Sequence, residues 1–361
     1  MKFIVLGGAV LSVGFGTLLV KDYVGAVRYD GNVSMKGKVV IVTGANTGIG
    51  REVANNLARR GARVIMACRD MDKCRQARKD IVISTRNRHV VCRQLDLACL
   101  GSVRRFAANI IENEPKVNVL INNAGVMRCP RTLTKDGFEM QMGVNHFGHF
   151  LLTMLLADKL IQSAPARIIN LSSSAHQKAD SIDFDDLNSD KQYDDQMAYN
   201  RSKLANILFT KELALRLKDK NVTVNAVHPG IVNTSIMRHM THHQFAISRY
   251  ISSPFQYLAL RTPLQGAQTA IYAAVAPELD GVTGKYFYDC AECDTSLAAN
   301  DTEAAKRLWL TSVKWTRLFD NAKLIEHDIA AIQSENAKGK TMKLEDTKAD
   351  VEISKIESNT L

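Results

Sequence analysis

Residues 38–50 read Lys38-Val-Val-Ile-Val-Thr43-Gly44-Ala-Asn-Thr-Gly48-Ile-Gly50, an apolar, β-branched run that stops at three closely spaced glycines. Such a run is a buried strand, and an amphipathic helical stretch over 50–60 follows it at once. Backbone stripped of side chains at a helix N-terminus is where a pyrophosphate can come close, held by N–H groups at the positive end of the helix dipole. The spacing is GxxxGxG rather than GxGxxG, and glycine clusters are common in turns. It is the placement between first strand and first helix that makes this one a binding signal.

Outward from that loop, strand-like runs alternate with helical ones. Strands are expected at 38–43, 63–67, 90–95, 118–122, 167–172, 223–228 and 285–288, and helices at 50–60, 99–113, 137–162 and 196–218. That alternation defines one α/β domain, a doubly wound parallel sheet with helices on both faces. The 361 residues are 46% hydrophobic and 23% charged, ordinary globular values that exclude disorder, collagen-like repeats and a multi-span membrane protein. The cysteines at 68, 74, 92, 99, 129, 290 and 293 are sparse, which argues against a disulfide framework. Cys290-Ala-Glu-Cys293 lies late in the globular part and reads as two ordinary thiols rather than a redox pair.

Residues 3–20 are uncharged and mostly apolar between Lys2 and Lys21, a run that as a helix spans ~27 Å at ~1.5 Å per residue, barely a bilayer. With no convincing small-x-small cleavage site behind it, 1–21 reads as an uncleaved membrane anchor; a removed targeting peptide and a buried core helix are the alternatives. A polar linker over 22–36 leads into the domain, 37–319. From Asp320 onward nine acidic and six basic residues mark 320–361 as a polar tail of net −3, which leaves +13 on the rest of a chain of net +10.

The second strand ends Met66-Ala-Cys68-Arg69-Asp70, where nucleotide-binding sheets commonly set an acid against the adenosine ribose. Cys68 removes the charge that would repel a 2′-phosphate. The Arg69 guanidinium can bind that phosphate, with Arg51 after Gly50 able to share it, so NADP(H) is favoured over NAD(H). The alternative is that Arg69 caps a surface turn. Asp96-Leu97 and Asn122-Asn-Ala-Gly125 end strands three and four at the same sheet edge, where small polar residues suit adenine and ribose.

Tyr199 and Lys203, in Ala198-Tyr-Asn-Arg-Ser-Lys203, are four apart and share a helix face. A phenol titrates near 10, too high for a base at neutral pH. An ammonium about 4 Å away, worth roughly 4 kcal/mol at an effective dielectric of 20, would lower it by about three units. Strand five ends Asn170-Leu-Ser-Ser-Ser174, offering hydroxyls to a carbonyl oxygen, with the register among the serines open. His146, His149 and His176 lack acidic or thiol partners at metal spacing and read as packing or capping residues; no metal is expected.

Thr43-Gly44-x3-Gly48-x-Gly50, Asn122-Asn-Ala-Gly125, Ser173, Tyr199-x3-Lys203 and Pro229-Gly230 stand in the order of the short-chain dehydrogenase/reductase family, which the chain resembles over about residues 37–318. Ala67-Cys-Arg-Asp70, Gly143-Val-Asn-His-Phe-Gly-His149, Asn170-Leu-Ser-Ser173, Ser202-Lys-Leu-Ala-Asn206 and Val227-His-Pro-Gly230 resemble its retinol dehydrogenase branch. The resemblance implies a Rossmann-type domain with Tyr199 as acid/base, Lys203 lowering its pKa and holding the nicotinamide ribose, Ser173 orienting the carbonyl, and Asn145 holding a relay water behind Lys203. The cofactor, NADP(H), would meet Gly44, Asn46, Thr47, Gly48, Ile49, Gly50, Arg51, Arg69, Asp96, Leu97, Asn123, Ala124, Gly125, Tyr199, Lys203, Pro229, Gly230 and Thr234, the last of these at the carboxamide. Two features depart from the family pattern. The separation from Ser173 to Tyr199 is long, as in this branch, and the charged tail has no obvious counterpart.

A lid over 235–264, which includes Ile236, Met237, Phe245, Tyr250 and Phe255, suits an apolar substrate. The expected activity is interconversion of retinaldehyde, or a similar apolar aldehyde or ketone, and its alcohol, in the reductive direction. A steroid or xenobiotic carbonyl reductase is the alternative within the family, and a non-catalytic NADPH-binding membrane scaffold the alternative outside it. The complete set of Asn145, Ser173, Tyr199 and Lys203 speaks against the scaffold. No aromatic-interleaved basic motif supports a nucleic-acid partner. Membrane association through the N-terminal segment is expected, at the mitochondrial inner membrane with the endoplasmic reticulum as alternative, and the family allows a homodimer.

Overall fold

The first strand, β1 (Val39–Thr43), is buried along its whole length, as a strand covered on both faces must be. It sits inside an eight-stranded sheet of order β3-β2-β1-β4-β5-β6-β7-β8 in a computed structural model that describes residues 27–239 and 260–318. The other strands are β2 (Arg63–Cys68), β3 (Val90–Gln94), β4 (Val119–Asn122), β5 (Ala166–Leu171), β6 (Val222–His228), β7 (Tyr286–Tyr288) and β8 (Ala291–Glu292). All pairings are parallel except that of β7 with β8. The seven expected strands form within one or two residues of their expected ends. β8 was not expected and falls between Cys290 and Cys293.

β1 pairs with β2 on one side, Val39 opposite Arg63, and with β4 on the other, Val40 opposite Val119. The direction of winding therefore reverses between β1 and β4. The crevice at the carboxyl ends of those two strands is where open α/β sheets take ligands.

Helices α1 (Gly48–Arg59), α2 (Met71–Thr85) and α3 (Leu100–Asn113) follow the first three strands. The chain then runs through α4 (Met140–Met142), a π-helical turn (Gly143–Phe147), α5 (Gly148–Leu155), α6 (Ala157–Gln162), α7 (Asp195–Arg216), α8 (Pro263–Val275) and α9 (Thr302–Trp315). One buried cluster joins Val42, Leu57, Val64, Ile121 and Ile271, so that α1 and α8 close one face; a second joins Phe147, Leu204, Leu208, Ala226 and Leu308 on the other.

The continuous helix expected over 137–162 is broken instead. A Cβ on Gly148 would stand 2.6 Å from the Leu97 carbonyl oxygen, and one on Gly143 2.5 Å from Thr134 Cγ2, so the chain passes close to its neighbours at both ends of the π-helical turn. Such turns are frequent at functional sites, and Asn145 lies at the middle of this one.

Cys74 and Cys92 form a disulfide between α2 and β3, a pairing that the sparse cysteine set did not announce, while Cys290 and Cys293 are free thiols. Contacts divide the chain into Met1–Thr316 and Arg317–Leu361. The anchor expected at 1–21, residues 240–259 of the expected lid and the expected tail from 320 lie outside the described residues. Among the described residues no helix is long and apolar enough to cross a membrane.

Candidate active site

The glycine loop leaves β1 with Gly44 at φ +66° and Gly48 at φ +56°, left-handed backbone that glycine tolerates best. Gly50 is required by space: a Cβ there would lie 2.5 Å from the Gly44 carbonyl oxygen and 2.4 Å from Asn123 Nδ2. A Cβ on Gly48 would meet Thr234 Cγ2 at 3.0 Å, which places Thr234 across the loop. The N-terminus of α1 carries no side-chain cap from Thr47 and no acid in its first turn, whereas α2, α7, α8 and α9 are capped by Asp70, Asp194, Thr262 and Asp301. Bare backbone beside an uncapped helix end fits the pyrophosphate of a dinucleotide. Asn46 is half-buried and Thr47 exposed, Ile49 packs on the core, and Arg51 is paired with Asp80 at 2.8 Å.

At the end of β2, Cys68 is buried, with the N–H groups of Ala45 and Asn46 directed at its sulfur, and burial pushes the thiol up to about 12. It is neutral at any physiological pH. Asp70 caps α2 through Lys73 N at 3.0 Å, so its carboxylate is already engaged. Arg69 is exposed at the rim of a cavity of about 310 Å³ shared with Arg93, Asp96, Arg105 and Lys135, a strongly positive lining. Asp96 accepts from Ala98 N at 3.1 Å, and Leu97 is buried against Gly148.

On the other side of β1, Thr43 Oγ1 accepts from the backbone N–H groups of Asn123 and Ala124, both at 2.9 Å. Val126, two residues on, is held at its N–H by Asn145 Oδ1 (2.9 Å) and at its carbonyl by Asn145 Nδ2 (3.0 Å), and Nδ2 also donates to Ser202 Oγ (2.9 Å). Between these grips lies Gly125: a Cβ there would stand 3.3 Å from Asn145 Oδ1, 3.7 Å from Ile236 Cδ1 and 3.8 Å from Lys203 Nζ. The structure thus gathers Gly125, Asn145, Lys203 and the first part of the expected lid.

Tyr199 and Lys203 are both buried on α7, with Nζ 5.6 Å from the phenol ring centroid and donating to the Leu171 carbonyl at 3.1 Å. The serine register resolves. Ser172 is buried and its hydroxyl donates to the Lys203 carbonyl at 2.8 Å, so it braces α7, while Ser173 is the serine whose hydroxyl acts to lower the Tyr199 phenol and accepts from Ala175 N at 3.2 Å. Ser174 is exposed. Pro229 and Gly230, the latter at φ +81°, leave β6 half-buried. Arg261, which sequence reasoning passed over, lies against Gly230, where a Cβ would meet its side chain at 2.6 Å. It bonds Asp289 Oδ2 at 2.7 Å and Tyr288 Oη at 3.0 Å. Asn206, also passed over, donates to the Leu171 carbonyl beside Lys203; its spacing three after Lys203 was the available signal.

The electrostatics correct one expectation. Lys203 does not bring the phenol into the neutral range: burial pushes Tyr199 up to about 12, against the smaller lowering from the Ser173 hydrogen bond, and burial pushes Lys203 down to about 8. Desolvation by burial is the first cause of both shifts. At pH 7 the site holds a neutral phenol beside an ammonium.

A dinucleotide loop at the switch point of a parallel sheet, with an ionisable pair on the helix behind it, describes a nicotinamide-dependent oxidoreductase. The profile of short chain dehydrogenases matches residues 38–244, and the chain belongs to that family of NAD(P)-using enzymes. Within the family it falls in the retinol dehydrogenase branch: it is 53% identical to Retinol dehydrogenase 13 of Mus musculus over 83% of this chain and 90% of that protein. Among solved structures it is similar to an uncharacterised protein from Mycobacterium paratuberculosis (TM-score 0.63, 36% identity, 79% of this chain and 95% of that one). It is also similar to the Pseudomonas aeruginosa RhlG/NADP active-site complex (TM-score 0.51, 25% identity, 70% of this chain and 95% of that one).

Proposed function

We propose that the protein reduces retinaldehyde, or an aldehyde or ketone of similar apolar shape, to the alcohol at the expense of NADPH. The observation that carries this reading is the placement of Tyr199 and Lys203: both are buried on α7, with Nζ 5.6 Å from the phenol ring centroid and bonded to the Leu171 carbonyl where β5 ends in the serines, so a phenol stands where a carbonyl oxygen needs a proton donor. The carbonyl oxygen would sit between the hydroxyls of Tyr199 and Ser173. A dinucleotide held at the glycine loop would supply hydride for the carbonyl carbon; Tyr199 would give its proton to the oxygen, and the Lys203 ammonium would stabilise the phenolate left behind. Gly125, bare on the side facing Lys203, leaves room for a ribose against the ammonium.

NADPH is favoured over NADH by the neutral thiol of Cys68 and by Arg69 at the rim of a cavity with three further cations. Retinoid as substrate draws support from the identity to Retinol dehydrogenase 13 and from the closeness of Ile236 to Gly125. The apolar run over 3–20 supports membrane attachment, at the mitochondrial inner membrane or, as the alternative, the endoplasmic reticulum. The test is NADPH absorbance decay by the full chain in detergent with all-trans-retinal, steroid ketones and short ketones, with NADH in parallel. Faster turnover of steroids would move the substrate class, and NADPH binding without turnover of any carbonyl would favour a scaffold. Tyr199→Phe should lower the rate by about 10²–10⁴, the usual worth of a general acid, with cofactor binding retained. Carbonate extraction of purified mitochondria and microsomes tests the location.

A further inference from the structure

His149 lies outside the Asn145, Ser173, Tyr199 and Lys203 group, yet it is buried (3% exposed) at the middle of that group's scaffold. Its Nδ1 is 3.1 Å from the Asn145 carbonyl oxygen and its Nε2 is 2.9 Å from Thr43 Oγ1. The two ends fix one protonation state. A carbonyl can only accept, so Nδ1 carries the proton. At the other end the backbone N–H groups of Ala124 and of Asn123, the latter shared with the Ile121 carbonyl, both point at Thr43 Oγ1, which leaves its hydroxyl proton to donate, and a bare Nε2 at 2.9 Å receives it in preference to the Ile121 carbonyl at 3.4 Å. Burial lowers His149 to about 4, which keeps the imidazole neutral and both bonds made at physiological pH.

The bonds close a ring. Thr43 grips the start of the 123–126 loop, Asn145 grips its end at Val126, and His149 joins Thr43 to Asn145. Gly125, which faces Lys203 Nζ, is the unheld residue between the two grips. We propose that His149 is a positioning residue that ties the cofactor-side grip, Thr43 on Asn123 and Ala124, to the proton-side grip, Asn145, and so sets the loop against Lys203. This rests on the proposed NADPH-dependent reduction. It assigns His149 more than the packing role that its lack of metal partners suggested.

The two ring nitrogens allow the two links to be cut separately. In His149→Asn the amide nitrogen can take the place of Nδ1 and keep the Asn145 link, while the Thr43 hydroxyl loses its acceptor. In His149→Gln the amide reaches towards Thr43 and the Asn145 carbonyl loses its donor. Expected for His149→Asn is a rise of about tenfold in the NADPH dissociation constant, measured by fluorescence quenching, with kcat within about twofold; one buried hydrogen bond is worth about that factor. Expected for His149→Gln is the reverse split, kcat down about tenfold and NADPH binding within about twofold. Equal loss of the same parameter in both variants, or a fall in melting temperature alone, overturns the proposal. If a variant does not fold, nitrogen NMR of selectively labelled wild-type histidines decides: the Nδ1–H tautomer unchanged from pH 5 to 8 is expected for His149, and an Nε2–H tautomer or titration in that range refutes it. A wild-type protein that turns over no carbonyl with NADPH sinks the functional reading, while the tautomer result still tests the ring.

Discussion

Lys203→Met should make the protein more stable at neutral pH while abolishing its activity. In the wild type the ammonium is 4% exposed and burial brings it from an ordinary 10.5 down to about 8. A folded-state pKa below the unfolded one means that the unfolded chain binds the proton more tightly between those values. Stability therefore rises with pH from about 8 to about 10.5, and below 8 the fold carries the whole cost of the buried charge, up to about 3 kcal/mol at ~1.36 kcal/mol per unit. Methionine fills similar volume without the charge. The loss is the bond from Nζ to the Leu171 carbonyl, about 1 kcal/mol, and that carbonyl keeps the Asn206 Nδ2 donor at 3.0 Å, so no acceptor is orphaned. The net gain is on the order of 2 kcal/mol, or roughly 3 °C in Tm for a domain of this size, at an unfolding entropy of ~2.1 cal/mol/K per residue. Urea unfolding of both proteins in one detergent at pH 7 and pH 10.5 checks it: the gain should be present at pH 7 and gone, or slightly reversed, at pH 10.5. A variant less stable than wild type at pH 7, or a difference that ignores pH, would refute the claim that Lys203 is held at a desolvation cost.

Arg69→Ala should weaken NADPH by about 10- to 100-fold, the worth of a charge-assisted bond to the 2′-phosphate, and leave NADH within about twofold; equal losses in titrations of both cofactors would remove Arg69 from that role. For carbonyl reduction, kcat/KM reports the free enzyme, so it should fall about tenfold per pH unit above pH 8 as Lys203 loses its proton, and a profile flat to pH 10 would show that the phenol acts without the ammonium. Ser172→Ala should cost about 1 kcal/mol in unfolding with kcat little changed, because its hydroxyl serves the Lys203 carbonyl, whereas Ser173→Ala should lower kcat as well as stability, the latter by the roughly 1 kcal/mol of the cap it gives Ala175 N.

The sheet and its binding edge were legible because their signals are local. A strand buried on both faces must be largely apolar, as Val39–Val42 and Val119–Ile121 are, and a loop that approaches a phosphate must shed its side chains, as Gly44, Gly48 and Gly50 do. The helices Met71–Thr85, Pro263–Val275 and Thr302–Trp315 were passed over although each has a start signal in the sequence. Asp70 and Asp301 cap two of them, and Thr262-Pro263 with Gln265 forms a capping box at the third. The first of these is strongly polar, with Lys73, Arg75, Arg78, Lys79 and Asp80 along it, which blurred the apolar stripe that its buried Cys74, Ala77 and Ile81 form. The break at Gly143–Phe147 depends on Leu97 and Thr134, residues distant in sequence, and no periodicity within the helix could reveal it.

The chemistry of the site divides along a different line. Spacing was enough to place Tyr199 and Lys203 on one face, because helix geometry fixes what residues four apart can share. It could not fix the direction of their pKa shifts, which depends on whether attraction between the groups exceeds the cost of taking each out of water, and that cost is set by packing from β5 and the 123–126 loop. The serine register follows the same rule. Ser172 and Ser173 are chemically identical and adjacent, and what separates them is that strand alternation turns one towards the Lys203 carbonyl and the other towards the phenol. Which group is the acid, and in which state it waits, is therefore a property of burial. That is why residues readable from the sequence acquire their protonation states only once the fold has closed around them.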